Sequence, residues 1–352
     1  MSNVVESRPP WFAGPARWIV FVAVVCVAVV LAAAGIWAAR EERDSQIDAA
    51  ETVPTVAPGS GSAAATLTGD APMLLFRNTA LADSFGRLAV APADDPTGPR
   101  IITDLSCERA HIQSEVGVCL EADRGFITTY RALVFDESFS IVHEIGLAGT
   151  PSRVRVSPSG TRAGATVFVS GHSYADTGFS TQTVILDTVA GDVLADLEVD
   201  FTVRRNGDVF DELDFNFWGV TFIDDNEFFA TLGSGGEAYL VRGDIDRREI
   251  EVVERGVECP SLSPSGTHIA FKSGGVGVWQ IAVMELATSE VTVVAETRSV
   301  DDQVAWLDDD TLMYGLATVD SPAETDMWLV PADGSGEPKL FVPKAWSVSI
   351  AG

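Results

Sequence analysis

The sequence predicts an all-β fold, a six-bladed β-propeller closed by its C-terminal strand and preceded by one N-terminal transmembrane helix and a flexible linker. Three observations predict it. The stretch Trp18 to Ala39 contains no charged residue. Beyond Pro72 a 3.6-residue periodicity is almost absent, and short runs of Val, Ile, Leu and aromatics alternate with Gly, Asp, Ser and Pro. The pentapeptide Ser-Pro-Ser-Gly-Thr occurs twice, at 157–161 and at 263–267.

The apolar stretch comes first. Its 22 residues span roughly 33 Å as a helix, against a hydrocarbon thickness of about 30 Å. A cleavable signal has a shorter apolar core, about 7 to 15 residues. Residues 18–39 therefore read as a signal anchor and 1–17 as a short cytoplasmic tail. Arg8 and Arg17 before the span balance Arg40 and Arg43 after it, so charge leaves orientation open. The shortness of the tail is what predicts a cell-membrane, single-pass protein with an extracytoplasmic C-terminal domain. Residues 40–71, first charged and then rich in Pro, Gly, Ser and Ala, read as a flexible linker with a reach of about 30 Å.

From 72 to 352 the strands repeat. Around Ser263 the order is "CPSLSPSG", "THIAFKS", "VWQIAVMEL", "VTVVAE", four strands with a turn after the first. Around Ser157 it is "RVRVSPSG", "TRAGATVFVS", "TQTVILDT", "VLADLEV". Weaker copies begin at "VGVCLEADRG", "WGVTFIDDN" and "QVAWLDDD". The turn markers fall at Glu121, Ser157, Ile223, Ser263 and Leu307, spaced by 36, 66, 40 and 44 residues, and propeller blades run at about 40 to 50. Two insertions, "GHSYADTGFS" and "RRNGDVFDELDFN", account for the long interval. Residues 72–105 supply only three strands, and the final "AWSVSIAG" aligns with "CPSLSPSG", placing Ser347 on Ser261 and Ser349 on Ser263. The C-terminal strand thus completes the first blade and leaves no open edge.

"PSLSPSGTHIAFKS" followed by "IAVMEL" resembles the blade signature of the TolB-type, WD40-like propeller family. The resemblance covers about 72–352 and implies the fold. It says less about function, because such propellers serve as periplasmic scaffolds, peptidase caps and sensor domains. Ser159 and Ser265 stand where the family has Asp, and an anchor and linker stand where the Gram-negative periplasmic protein has an α/β domain. The composition, with few Lys and many Ala, Val, Gly and Asp, is similar to that of high-GC Gram-positive, actinobacterial proteins.

A formal charge of −28 with three Lys excludes nucleic acid as a partner. Gly171-His172-Ser173 lacks the second Gly and the α/β context of a nucleophile elbow. The four His are scattered and form no zinc pair. Cys107 and Cys119 are expected to form a disulfide in an exported domain, leaving Cys259 as a small core residue. Asp208, Asp211, Glu212 and Asp214 do not follow a calcium-loop pattern, and Asp308 to Asp310 suffice as a turn. No cofactor is expected, and Ca²⁺ has no motif to support it.

The residue five before each turn marker should lie at the channel mouth. It gives Lys344, Val116, Ser152, Trp218, Glu258 and Asp302, of which the polar and aromatic members are the binding candidates. With no catalytic constellation assembled, the expected role is a non-catalytic scaffold of the cell envelope binding a membrane or envelope protein or peptide. The alternative is an enzyme using the acids at the mouth on an envelope glycan or peptide.

Overall fold

The computed structural model describes residues 16–49, 55–56, 72–169, 180–275 and 277–351. It divides into two units, residues 1–51 and 52–352. In the first, helix α1 (Ala16–Ala49) contains the span Ile19–Trp37, long and apolar enough to cross a membrane. The helix continues through Arg40 to Ala49, past the point where the linker was expected to begin. "REERDSQIDA" contains neither Gly nor Pro, so nothing in it stops a helix.

The second unit is a six-bladed β-propeller. Blade 1 comprises β2 (Met73–Asn78), β3 (Arg87–Pro92) and β4 (Arg100–Ser106), with β27 (Ala345–Ala351) as its inner strand. The two-residue β1 (Thr55–Val56), drawn from the expected linker, lies parallel to β4 at its outer edge. Blade 2 is β5 (Arg109–Gln113), β6 (Val116–Arg124), β7 (Thr128–Phe135) and β8 (Ile141–Leu147). Blade 3 is β9 (Thr150–Val156), β10 (Arg162–Val169), β11 (Ser180–Asp187) and β12 (Asp192–Asp196).

A short α2 (Leu197–Asp200) leads to β13 (Thr202–Arg205) and β14 (Asp208–Val209). Blade 4 follows, with β15 (Asn216–Phe222), β16 (Glu227–Ser234), β17 (Glu237–Asp244) and β18 (Glu249–Arg255). The second insertion is thus a hairpin that extends blade 4, with β13 parallel to β18. Blade 5 is β19 (Glu258–Leu262), β20 (His268–Gly275), β21 (Val278–Glu285) and β22 (Val291–Val293). Blade 6 is β23 (Ala305–Trp306), β24 (Thr311–Ala317), β25 (Thr325–Pro331) and β26 (Lys339–Val342).

The closing strand pairs antiparallel with β2, Met73 opposite Ala351 and Asn78 opposite Ala345. Arg100, fully buried, fixes the start of that strand by donating to Asn78 Oδ1 and to the carbonyls of Lys344 and Pro343. Trp346 lies so close over Gly315 that a Cβ there would sit 2.3 Å from its ring, which explains the glycine. Six apolar clusters hold the ring, one at each joint between neighbouring blades. Each blade buries both faces, so its strands are apolar on both.

One repeat was placed wrongly. The first strand of blade 2 is Arg109–Gln113, and "VGVCLEADR" is the second. The true turn is Ser114-Glu115, both at positive φ, and Glu121 sits inside β6 facing Arg131 at 2.6 Å.

Candidate functional site

The six inner strands surround an axial channel, and the turns after them ring one end of it. In both Ser-Pro-Ser-Gly turns the glycine takes a positive φ, at Gly160 and Gly266, and its N–H donates back to Ser157 or Ser263. The turns are also tied to each other. Asp225, from the blade 4 turn, accepts from Ser157 Oγ at 2.6 Å and Ser159 N–H at 3.2 Å. Asp309, from the blade 6 turn, accepts from Ser265 N–H at 2.8 Å. Ser114 donates to the Pro158 carbonyl at 2.6 Å. The repeated serines and the Asp308–Asp310 run therefore lace neighbouring blades together.

Inside this ring is a funnel of about 740 Å³. Its wall combines Phe222, Phe229, Trp306 and Leu307 with serine hydroxyls, His111 and Arg155. Among the described residues, no Asp or Glu lines it. His111 Nδ1 accepts the Val156 N–H at 3.2 Å. Burial, with Arg155 adding to it, holds the imidazole well below its usual pKa of 6.5, so the ring is neutral with its proton on Nε2.

Below the funnel the channel narrows to a cavity of about 20 Å³. Asp302 Oδ2 meets Arg109 Nη1 at 2.7 Å, and Oδ1 meets Arg153 Nε at 3.0 Å. Burial pushes the Asp302 carboxyl up, but the two guanidiniums outweigh it and hold it below the usual range. Gln303 Nε2 donates to the carbonyls of Gly219, Val220 and Pro260, and its Oε1 has no partner among the described residues. The buried thiol of Cys259 is pushed up, chiefly by burial.

The sequence candidates gather at this waist and at the opposite, strand-entrance end. Asp302 forms the waist. Glu258 pairs with Lys272 at 3.2 Å, and the same ammonium reaches Asp301 at 2.8 Å and lies 3.8 Å over the Trp279 ring. Lys344 pairs with Glu324 at 3.1 Å. Ser152 is buried and accepts from Arg153, and Trp218 packs on Gly233 in β15. None of the five lines the funnel. A smaller cavity of about 340 Å³ opens at this end against Arg77, Glu108, Arg109 and Trp346.

Arg109 was missed because the blade 2 marker was misplaced. Moving it from Glu121 to Ser114 moves the ring position from Val116 to Arg109, and the 36-residue interval was the signal. Arg153 and Arg155 were missed because the marker rule takes one residue per strand and on blade 3 it selects Ser152, one position off the 153/155 alternation that lines the waist.

The acidic insertion borders a separate cavity of about 580 Å³ beside blades 3 and 4. Asp214 there is committed to Ser234 Oγ and Gly235 N–H. Glu198 accepts the N–H groups of Thr183 and Phe217 at 2.8 and 3.0 Å, strapping the two blades, and burial pushes it up to about 8. Cys107 and Cys119 form a disulfide between the blade 1–2 connection and β6. Gly171, His172 and Ser173 lie outside the described residues.

No family model and no curated protein sequence matches this chain. Among solved structures, TolB from Acinetobacter baumannii superposes with a TM-score of 0.55 at 16% identity, covering 80% of this chain and 67% of that one. A chain of a nidogen/laminin complex gives 0.53 at 12%, covering 80% and 98%. A putative TolB from Agrobacterium tumefaciens gives 0.48 at 14%, covering 77% and 88%. These likenesses lend no support to the Gram-positive source that composition suggested. At such identities the first two establish architecture alone: the described residues between 72 and 351 form a six-bladed β-propeller of the kind TolB carries.

Proposed function

We propose that the protein is a non-catalytic binding module of the cell envelope, anchored by residues 18–39 and holding its propeller outside the cytoplasm, where the turn-side funnel receives a protein or peptide segment. The observation that carries this reading is the funnel, a cavity of about 740 Å³ with apolar walls and a few polar groups, with the Asp302 ion pairs beneath it. Sites that take a ligand have this size and mixture. The Cys107–Cys119 disulfide supports an oxidising compartment. An enzyme using Glu258 and Asp302 has less support, because each carboxylate is already engaged by a cation of the ring, Asp302 by Arg109 and Glu258 by Lys272.

Cross-linking and pull-down from membranes are expected to recover one partner. Gln113→Trp with Ser265→Trp, on the funnel rim, should abolish recovery, and unchanged recovery would eliminate this mouth. Protease treatment of intact cells stripped of their wall should digest the linker. Full protection would put the propeller on the cytoplasmic side.

A further inference from the structure

The channel carries more cations than it can neutralise. Arg109 and Arg153 share Asp302, Lys272 has Glu258 and Asp301, and Lys344 has Glu324. Arg155 has none of these. It donates Nη1 to the Val154 carbonyl at 3.0 Å and Nη2 to the Val304 carbonyl at 3.1 Å. Among the described residues it forms no ion pair, and both oxygens of the nearby Asp302 are already taken.

Burial lowers the Arg155 guanidinium to about 10, Asp302 opposes the shift, and Arg109 and Arg153 add to it. The group is still a cation at neutral pH. Its location is specific: Arg155 lines both the narrow waist and the funnel. Of the acids of the encircling turns, Asp225 and Asp309 accept from backbone N–H groups of neighbouring turns, Asp224 and Asp308 accept from N–H groups of their own turns, and Glu227 holds Arg242 on the rim. In a chain with 51 acidic residues, no Asp or Glu among the described residues lines this wall, and a cation stands at its floor. A half-buried charge without a counter-ion is costly to keep, and a guanidinium fits a carboxylate better than any other common group.

We propose that the funnel is a carboxylate-binding site, with Arg155 at its floor receiving an acidic side chain or terminal carboxylate of the inserted segment and the neutral His111 offering a second donor. This rests on the reading of the funnel as the binding mouth. The partner segment is then acidic at its tip and apolar behind it, matching the Phe222, Phe229 and Trp306 wall.

The test uses the full chain in detergent micelles and three probes at matched ionic strength: acetyl-tetraglutamate, acetyl-tetraglutamine and glutarate. Acetyl-tetraglutamate should bind by calorimetry and raise the melting temperature, and acetyl-tetraglutamine should do neither. Arg155→Gln should weaken that binding at least tenfold, whereas Arg131→Gln on blade 2 should leave it within about threefold. Equal shifts from the two peptides, or native-like binding by Arg155→Gln, would overturn the proposal. If Arg155→Gln fails to fold, Arg155→Lys and the two-peptide comparison on the unaltered protein still decide it. Glutarate binding as tightly as the tetrapeptide would keep the anion site and overturn a peptide as its source. Partner recovery that survives Arg155→Gln sinks this inference and leaves the binding module standing. Tetraglutamate binding that depends on Arg155 with no partner recovered does the reverse.

Discussion

The two ends of the channel are made from the same six inner strands, yet they handle charge in opposite ways. At the strand-entrance end, Lys272 and Lys344 each have a carboxylate, and Arg109 reaches across the ring to Asp302. At the turn end the acids are used to tie one turn to the next, and among the described residues the funnel wall carries Arg155 and the rim residue Arg242 and no carboxylate. Charge closes the ring at one end and remains available at the other. Residues that look like a binding ring by position can therefore be structural, while the available group lies three residues further along the same strand.

The comparison breaks first where the ring closes. Deleting residues 345–352 removes the inner strand of blade 1 and should cost most of the roughly 5 to 15 kcal/mol that holds a domain together. Circular dichroism should then show no cooperative melt. Next, Asp302→Ala leaves Arg109 and Arg153 without a counter-charge and should cost about 3 to 5 kcal/mol in denaturant unfolding. Arg155→Leu, at the other end, should be neutral or stabilising, because it removes a charge that has no counter-ion. Equal losses from the two would dissolve the distinction.

A smaller effect comes from outside the channel. Cys107→Ser with Cys119→Ser opens a 12-residue separation and should cost about 3 kcal/mol or less. It should leave acetyl-tetraglutamate binding unchanged. The smallest effect is a pH dependence. His111 is held neutral below its unfolded value of about 6.5, so the unfolded chain binds more protons on acidification. Its contribution is therefore lost as pH falls below about 6.5, at up to about 1.4 kcal/mol per pH unit. His111→Gln should flatten the melting-temperature profile between about pH 6.5 and 5, and an unchanged slope would mean another group titrates there.

Most of the architecture was legible because it is written locally. Ser-Pro-Ser-Gly sets a turn within four residues, and apolar runs between such turns set strands. The closing strand could be aligned because Ser347 and Ser349 repeat Ser261 and Ser263. Blade 2 failed for an informative reason. Its inner strand, "RAHIQ", places Arg109 and His111 on the channel side, so it lacks the apolar run that marks the other strands. The longer β6 was taken in its place.

The sequence by itself determined the apolar helix, the number of blades, the strand exchange and all but one of the turns, since each depends on neighbours in the chain. Only the tertiary structure decided which charges are satisfied. Arg109 meets Asp302 across 193 residues of sequence, and a guanidinium at position 155 is the same letter whether a carboxylate faces it or not. Closing the ring brings six distant strands to one axis, and the geometry of that meeting separates a paired cation from an unpaired one.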